Sequence, residues 1–79
     1  MSKITVYTKY NCPKCEVTKT MLDGEGAEYE SVNVEDDADA LEYIKSLGFT
    51  STPVITKQGY EPFSGFNLDK LKEMINLRC

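Results

Sequence analysis

Residues 3–15 read KITVYTKYNCPKC, and this stretch decides the fold. Residues 3–8 alternate polar and apolar side chains and are rich in β-branched residues, which predicts a β-strand. Asn11-Cys12-Pro13 then reads as a helix start, because proline suits the first helical position, where an N–H has no partner. The stretch therefore predicts a strand leading into a helix, with two cysteines, Cys12 and Cys15, at the junction.

Apolar residues at helical spacing predict three helices. The first begins at Pro13 and ends at the glycines 24 and 26. The second has its N-cap at Asp36 or Asp37 and stops at Gly48, and the third is capped by Asn67. The residues expected to face the core are Val17, Thr18, Met21 and Leu22 in the first helix, Leu41, Ile44 and Leu47 in the second, and Leu68, Leu71 and Ile75 in the third, with Met74 as a further candidate.

Three more strands are predicted, at residues 28–34, 52–56 and 60–64. The order is β-α-β-α-β-β-α, an α/β fold, in which a right-handed crossover makes the first two strands parallel. The short turn at Gln58-Gly59 makes the last two strands an antiparallel hairpin. We expect residues 1–79 to form a single domain, since a chain of this length has no room for two.

The composition excludes several classes of protein. The chain has 9 basic and 13 acidic residues, a net charge of −4 and no histidine. The negative charge argues against nucleic acid as the main partner, and the lack of histidine excludes Ser–His and Cys–His catalytic pairs. No apolar run approaches the ~18–20 residues that span a bilayer, so no membrane partner is expected. No signal-peptide pattern opens the sequence, so we expect a cytoplasmic protein.

Charge is unevenly distributed along the chain. Residues 1–19 hold four lysines and one acid, whereas residues 23–42 hold nine acids and no base. An acidic run of this kind usually forms a solvent-exposed surface. Alternatively, the lysines leave the cysteine end locally positive, which would favour a thiolate.

The Cys12-Pro13-Lys14-Cys15 motif predicts dithiol redox chemistry, because a CxxC at a strand-to-helix junction is typical of it. The thiolate is the attacking species, and the positive end of a helix favours an anion at Cys12. Lys9 and Lys14 add a smaller, screened contribution. Cys15 lies three residues further on the same helix face, where it can resolve a mixed disulfide with Cys12.

Other uses of the cysteines stay open. A structural zinc site takes four ligands, and besides the CxxC pair the chain offers only Cys79, so no metal site is predicted within a monomer. A metal or cluster held by Cys12 across a dimer, and a non-catalytic adaptor, are lesser alternatives. Cys79 is expected to be a reduced thiol at a chain end, or else to form intermolecular disulfides under oxidation.

Thr52-Pro53 opens the third strand. On sequence alone the proline is most simply an edge or turn residue, since only about 5–6% of X–Pro bonds are cis.

Taken together, the chain resembles the thioredoxin superfamily, and within it the small glutaredoxin-like proteins of the NrdH-redoxin type. The similarity covers almost the whole chain. Three stretches carry it: Val6-Tyr7-Thr8-Lys9 with Cys12-Pro13-Lys14-Cys15; Leu47-Gly48-Phe49 with Thr52-Pro53-Val54; and Phe63-Ser64-Gly65-Phe66 with Asp69-Lys70-Leu71.

The resemblance implies a thioredoxin-like fold with strand order 2-1-3-4, flanked by three helices. It implies a cis Pro53 that faces the cysteine pair, a Thr52 backbone that pairs with an incoming substrate, and Gly65 and Phe66 at the border of the same groove. Redoxins of this type give electrons to ribonucleotide reductase and are recycled by thioredoxin reductase, hence by NADPH. We expect this chain to act as a monomer whose redox group is the Cys12–Cys15 disulfide, with no bound cofactor.

The sequence departs from the NrdH pattern at three places: Phe63 replaces a tryptophan, Asn67-Leu68 replaces Arg-Pro, and the pattern has no counterpart of Cys79. The alternative is a glutathione-dependent glutaredoxin. Such proteins carry Gly-Gly-x-Asp before the last helix, where the acid holds the ammonium group of glutathione. Here Ser64 takes the place of the first glycine and Asn67 takes the place of the aspartate. We therefore expect weak glutathione binding or none.

Overall fold

A computed structural model describes residues 4–76 of the protein. Lys3 and Cys79, which figure in the predictions above, lie outside the described residues. The elements in chain order are β1 (Ile4–Thr8), α1 (Pro13–Gly24), β2 (Tyr29–Asn33), α2 (Ala38–Ser46), β3 (Val54–Thr56), β4 (Phe63–Ser64) and α3 (Leu68–Asn76).

The four strands form one mixed sheet in the order β2-β1-β3-β4. β1 runs parallel to β2, with Ile4 opposite Tyr29 and Thr8 opposite Asn33. β3 is antiparallel to both β1 and β4. Parallel neighbours require a crossover connection, which α1 supplies. The predicted β-α-β-α-β-β-α order, the parallel first pair, the antiparallel hairpin and the 2-1-3-4 strand order are therefore confirmed.

Apolar side chains cover both faces of the sheet, because successive strand residues point to opposite sides. On one face, Ile4 and Val6 pack with Leu22 of α1 and with the buried residues of α3. On the other face, Ile44 of α2 packs against Val54. α1 and α3 thus lie on one face and α2 on the other. The buried α3 residues are Leu71, Met74 and Ile75.

Local capping signals fix where the helices begin and end. Asp37 is the N-cap of α2, and its carboxylate accepts a bond from the Ala40 N–H at 3.1 Å. The Asn67 side chain accepts from the Lys70 N–H at 3.1 Å and caps α3, as predicted. After α2 the chain reverses at Gly48, whose φ of +92° is a left-handed value that glycine adopts without strain.

The last strand is shorter than predicted. The sequence predicts a strand at residues 60–64, yet only Phe63–Ser64 pair with β3. Pro62 has no N–H to donate to a ladder, and Tyr60 belongs to a turn in which its N–H donates to the Lys57 carbonyl. β3 likewise begins at Val54 rather than at residue 52, and β2 is one residue shorter at each end than residues 28–34.

Three apolar residues predicted to face the core are exposed. The buried face of α1 passes through Cys15, Thr18 and Leu22, and Val17 lies about 200° around the helix from Cys15 because each residue turns by about 100°. Leu68 opens α3 outside the core cluster, and Leu47 follows α2 as its C-cap. The predicted inward orientation of these three residues was therefore wrong.

Within residues 4–76, no helix combines the length and the apolar character needed to cross a membrane.

Candidate active site

The loop between β1 and α1 carries Cys12 to the C-terminal end of β1, and Cys15 follows in the first turn of α1. Asn11 adopts a left-handed conformation with φ of +56°, which asparagine tolerates better than most side chains. Cys12 then returns to extended geometry and forms the N-cap of α1. The tight reversal at Asn11 places the Cys12 sulfur at the positive end of the helix.

Cys12 and Cys15 are joined in a disulfide, with their Cα atoms 5.2 Å apart. The Cys15 N–H donates to the Cys12 sulfur at 3.2 Å, and the Glu16 N–H donates to the Cys12 carbonyl at the same distance. Cys12 retains 8% of its surface in contact with solvent, whereas Cys15 has none. Cys12 is therefore the more accessible of the two cysteines to an external reactant.

Thr52 approaches Cys12 from the segment just before β3, the strand that lies on the opposite side of β1 from β2. Its hydroxyl donates to the Cys12 sulfur at 3.6 Å, although the two residues are 40 positions apart in the sequence. The Thr52–Pro53 bond is cis and Pro53 is fully buried. The cis proline beside the cysteine pair, implied by the family resemblance, is confirmed.

Gly65 and Phe66 continue the same side of the site. The Gly65 N–H donates to the Pro53 carbonyl at 2.7 Å, and its φ of +81° lets the chain turn away after β4. Phe66 follows with 39% of its surface exposed. The structure thus brings together Cys12, Cys15, Thr52, Pro53 and Gly65, with Phe66 beside them.

The remaining predicted site residues lie within the motif or shortly before it in the chain. Pro13 and Lys14 are exposed in the first turn of α1, and Lys9 is exposed in the loop before it. At exposed positions the lysine charges are screened by solvent and salt. The helix end and the two hydrogen bonds to the Cys12 sulfur are therefore the nearer influences on that atom.

Two carboxylates reach this loop from the turn after β2. The Tyr10 N–H donates to Glu35 Oε1 at 2.8 Å, and the Tyr10 hydroxyl donates to Asp36 Oδ2 at 2.6 Å. The hydrogen bond to Asp36, and then its negative charge, raise the pKa of Tyr10 above its ordinary value. Part of the acidic run thus lies beside the cysteine loop, so the lysines do not set the local charge alone.

Tyr10, Glu35 and Asp36 are not among the site residues that the sequence patterns predict. One signal could have found the two acids. They directly follow a strand predicted to run parallel to β1 and beside it, and the carboxyl ends of parallel neighbours meet at the same edge of a sheet.

Across the described stretch from Ile4 to Asn76, no group of three or more cysteine, aspartate or glutamate side chains is placed so as to hold a metal ion. The redox-active group that the residues themselves provide is the Cys12–Cys15 disulfide.

Removal of the Thr52 hydroxyl should slow the reaction of Cys12. In Thr52→Val, which keeps the side-chain shape, the sulfur loses one hydrogen-bond donor. We expect alkylation of the reduced protein by iodoacetamide at pH 7 to slow about fivefold, the equivalent of roughly 1 kcal/mol. Thr50→Val, at an exposed position two residues earlier, is the matched control. Equal rates in Thr52→Val and the parent would show that the hydroxyl does not act on the sulfur.

Known proteins resemble the chain over most of its length. The family model described as Glutaredoxin matches residues 4–60. The glutaredoxin-like protein NrdH of Salmonella typhimurium is 37% identical over 71 residues, which cover 90% of this chain and 86% of that protein. The gene 56 protein of Mycobacterium phage D29 is 36% identical over 74 residues, covering 92% and 82%.

A solved structure is similarly close. The NrdH-redoxin of Escherichia coli superimposes with a TM-score of 0.81 at 34% identity, and the match covers 98% of this chain and 95% of that one. The match therefore includes the cysteine loop, the cis-proline segment and the last helix.

Proposed function

Because the chain belongs to the glutaredoxin family and is a thiol–disulfide oxidoreductase of the NrdH type, we propose that Cys12 and Cys15 carry electrons to a disulfide in a partner protein. The observation that carries this assignment is the position of Cys12. Its sulfur caps α1, accepts hydrogen bonds from the Cys15 N–H and the Thr52 hydroxyl, and is the more exposed of the two.

The reaction proceeds by two thiolate attacks. The Cys12 thiolate attacks one sulfur of the partner disulfide, and the other partner sulfur leaves as a thiolate. The Cys15 sulfur, after losing its proton, then attacks Cys12, and the second partner sulfur leaves. Two electrons have passed to the partner, and the Cys12–Cys15 disulfide has formed.

The protein favours the first attack at Cys12. The helix N-terminus supplies partial positive charge, and the two hydrogen bonds stabilise an anionic sulfur. Lys9, Pro13 and Lys14 support the site, since the lysines add positive charge and the proline stiffens the first helical turn. Cys15 is fully buried, so it meets only a partner already bound to Cys12.

Thr52, Pro53, Gly65 and Phe66 form the proposed substrate groove. Thr52 lies beside the cysteine pair through the contact of its hydroxyl with the Cys12 sulfur, and its backbone would pair with an extended partner segment. The bond from the Gly65 N–H to the Pro53 carbonyl fixes Gly65 beside the cis proline. Phe66, the next residue, offers an exposed apolar surface.

Asn67 favours thioredoxin reductase over glutathione as the reductant. Glutathione-dependent relatives place a carboxylate at this position to hold the ammonium group, whereas here a neutral amide caps α3 through Lys70. The similar Escherichia coli protein is described as glutaredoxin-like with a thioredoxin-like activity profile. We infer a supply of electrons from NADPH through thioredoxin reductase, with glutathione weak or inactive.

Ribonucleotide reductase is the proposed acceptor, on the strength of the NrdH relationship. The protein would work in the cytoplasm, where thiols are kept reduced and a lasting disulfide is usually catalytic. It would act as a monomer with no bound cofactor, as a single domain of residues 1–79.

A coupled assay tests the choice of reductant. The oxidised protein is mixed with NADPH and thioredoxin reductase, or with NADPH, glutathione reductase and glutathione, and insulin serves as the disulfide. We expect NADPH consumption with thioredoxin reductase to exceed that with glutathione about tenfold or more, the equivalent of roughly 1.4 kcal/mol in transition-state binding. Turnover with glutathione alone would assign the protein to the glutaredoxin alternative.

The variant Asn67→Asp tests, in the same assay, whether the neutral amide at this position weakens the use of glutathione. Aspartate caps a helix as well as asparagine, so α3 is retained while a carboxylate is added. We expect glutathione-dependent turnover to rise about fivefold, as a charge-assisted bond worth roughly 1 kcal/mol would give. An unchanged rate of glutathione-dependent turnover in the variant would show that Asn67 is not the cause of weak glutathione binding.

A further inference from the structure

We propose that Tyr10 is a specificity-determining residue that contacts the partner protein. Asp36 and Glu35 hold Tyr10 in place, on the side of Cys12 opposite the groove formed by Thr52, Pro53, Gly65 and Phe66. The inference rests on the dithiol reaction at Cys12 and adds a residue on the side of the site opposite the Thr52 groove. It concerns which disulfides reach Cys12, and not how the sulfur reacts.

The strand order places Tyr10 on that opposite side. Cys12 follows β1, which lies between β2 and β3 in the sheet. Thr52 touches the Cys12 sulfur from the β3 side, whereas both side-chain partners of Tyr10 come from the turn after β2. Phe66 follows Gly65 on the β3 side and Tyr10 is held on the β2 side, so a partner segment bound at Cys12 would lie between the two rings.

Two hydrogen bonds hold Tyr10 at both of its ends. Glu35 fixes the main chain through the Tyr10 N–H, and Asp36 fixes the far end of the ring through the hydroxyl. Hydrogen bonds to ionised acceptors are stronger than neutral ones. Tyr10 nonetheless keeps 57% of its surface exposed, which is a large area for a residue held both at its main chain and at its hydroxyl.

The turn that holds Tyr10 is itself well fixed. The Asn33 side chain accepts from the Glu35 N–H at 2.8 Å, and the Asn33 carbonyl accepts from the Asp36 N–H at 3.1 Å. The next residue, Asp37, caps α2. The two carboxylates therefore belong to a rigid support, and Tyr10 is oriented before a partner arrives.

A pre-oriented exposed ring should matter for large partners and little for small ones. Aromatic side chains at fixed positions contribute much of the contact energy in protein interfaces, and orientation in advance reduces the entropy lost on binding. A small disulfide needs only the sulfur of Cys12, whereas a protein disulfide also brings its neighbouring residues into contact with Tyr10.

The test compares two disulfides in single turnover. The pre-reduced protein is mixed with insulin or with 2-hydroxyethyl disulfide, and the ratio of the two second-order rate constants is measured. The variants are Tyr10→Phe, which keeps the ring, Asp36→Ala, Asp36→Asn, and the double variant Tyr10→Phe/Asp36→Ala. Glu42→Gln, at an exposed position of α2, is the matched control for lost negative charge.

We expect the insulin to small-disulfide ratio to fall about threefold or more in Tyr10→Phe and in Asp36→Ala. The double variant should be no lower than either single one, because both remove the same bond. Asp36→Asn should restore at least half of the ratio, since its amide oxygen can still accept. Glu42→Gln should keep the parent ratio.

An unchanged ratio in Tyr10→Phe, or independent effects that multiply in the double variant, would overturn the inference. A parent protein that reduces neither disulfide would contradict the proposed function, and this inference with it. Carbon-13 NMR titration of labelled tyrosine checks the contact itself. The pKa of Tyr10 should be lower in Asp36→Ala than in the parent, because the bond and the charge that raise it are gone.

Discussion

Replacement of Cys12 by serine should abolish the reduction of protein disulfides. Serine keeps the shape of the side chain and can still cap α1, but its hydroxyl is not ionised at neutral pH and does not attack disulfides. We expect the rate to fall on the order of 10³-fold or more, as happens when an enzyme loses its nucleophile. The measurement is single-turnover reduction of insulin by the pre-reduced variant.

The control for this loss is Cys79→Ser, which removes a thiol outside the CxxC motif. It should retain the parent rate, since the proposed reaction uses Cys12 and Cys15 alone. Far-ultraviolet circular dichroism of Cys12→Ser should match that of the parent and show that folding is intact. A folded Cys12→Ser protein with substantial activity would mean that another residue attacks the disulfide.

Leu22→Ala should produce the largest loss of stability among substitutions in α1. Leu22 is fully buried in the core formed by β1, β3, β4, α1 and α3. Such truncations cost about 2–5 kcal/mol, and a domain of this size is stable by only roughly 4–12 kcal/mol in total. We therefore expect urea unfolding of the oxidised protein to show a loss of about 3 kcal/mol.

Val17→Ala is the matched control on the same helix. Val17 is half exposed, so its truncation should change the free energy of unfolding by about 0.5 kcal/mol or less. The pair also tests which face of α1 is buried. Equal losses in the two variants would contradict the placement of Leu22 inside and Val17 outside.

Local signals in the sequence predict much of this fold. Pro13 after Cys12 locates the start of α1, and the acid Asp37 and the amide Asn67 locate the starts of the other two helices. Asp37 and Asn67 work because a capping side chain satisfies N–H groups only a few residues away, and Pro13 works because the first helical position needs no N–H. The CxxC pair can be identified for the same reason, since its geometry depends on a single helical turn.

The features that the sequence patterns missed depend on contacts between distant segments. Periodicity placed Val17 inside, but only the angle at which α1 meets the sheet decides which stripe is buried. The Thr52 hydroxyl reaches Cys12 across 40 positions, and Tyr10 reaches Asp36 across 26. Neither contact could be predicted from the sequence patterns. The parallel arrangement of β1 and β2 indicated only that Glu35 and Asp36 lie at the same edge of the sheet as the cysteine loop.

The central claim is that Cys12 attacks and Cys15 resolves, and the direct measurement is to trap the intermediate. The reduced Cys15→Ser variant is mixed with a protein disulfide, and the adduct is located by mass spectrometry of the proteolysed product. Without Cys15, the mixed disulfide cannot be resolved within the chain and should accumulate. We expect one stable adduct, linked through Cys12. An adduct linked through Cys79, or complete turnover without any adduct, would contradict it.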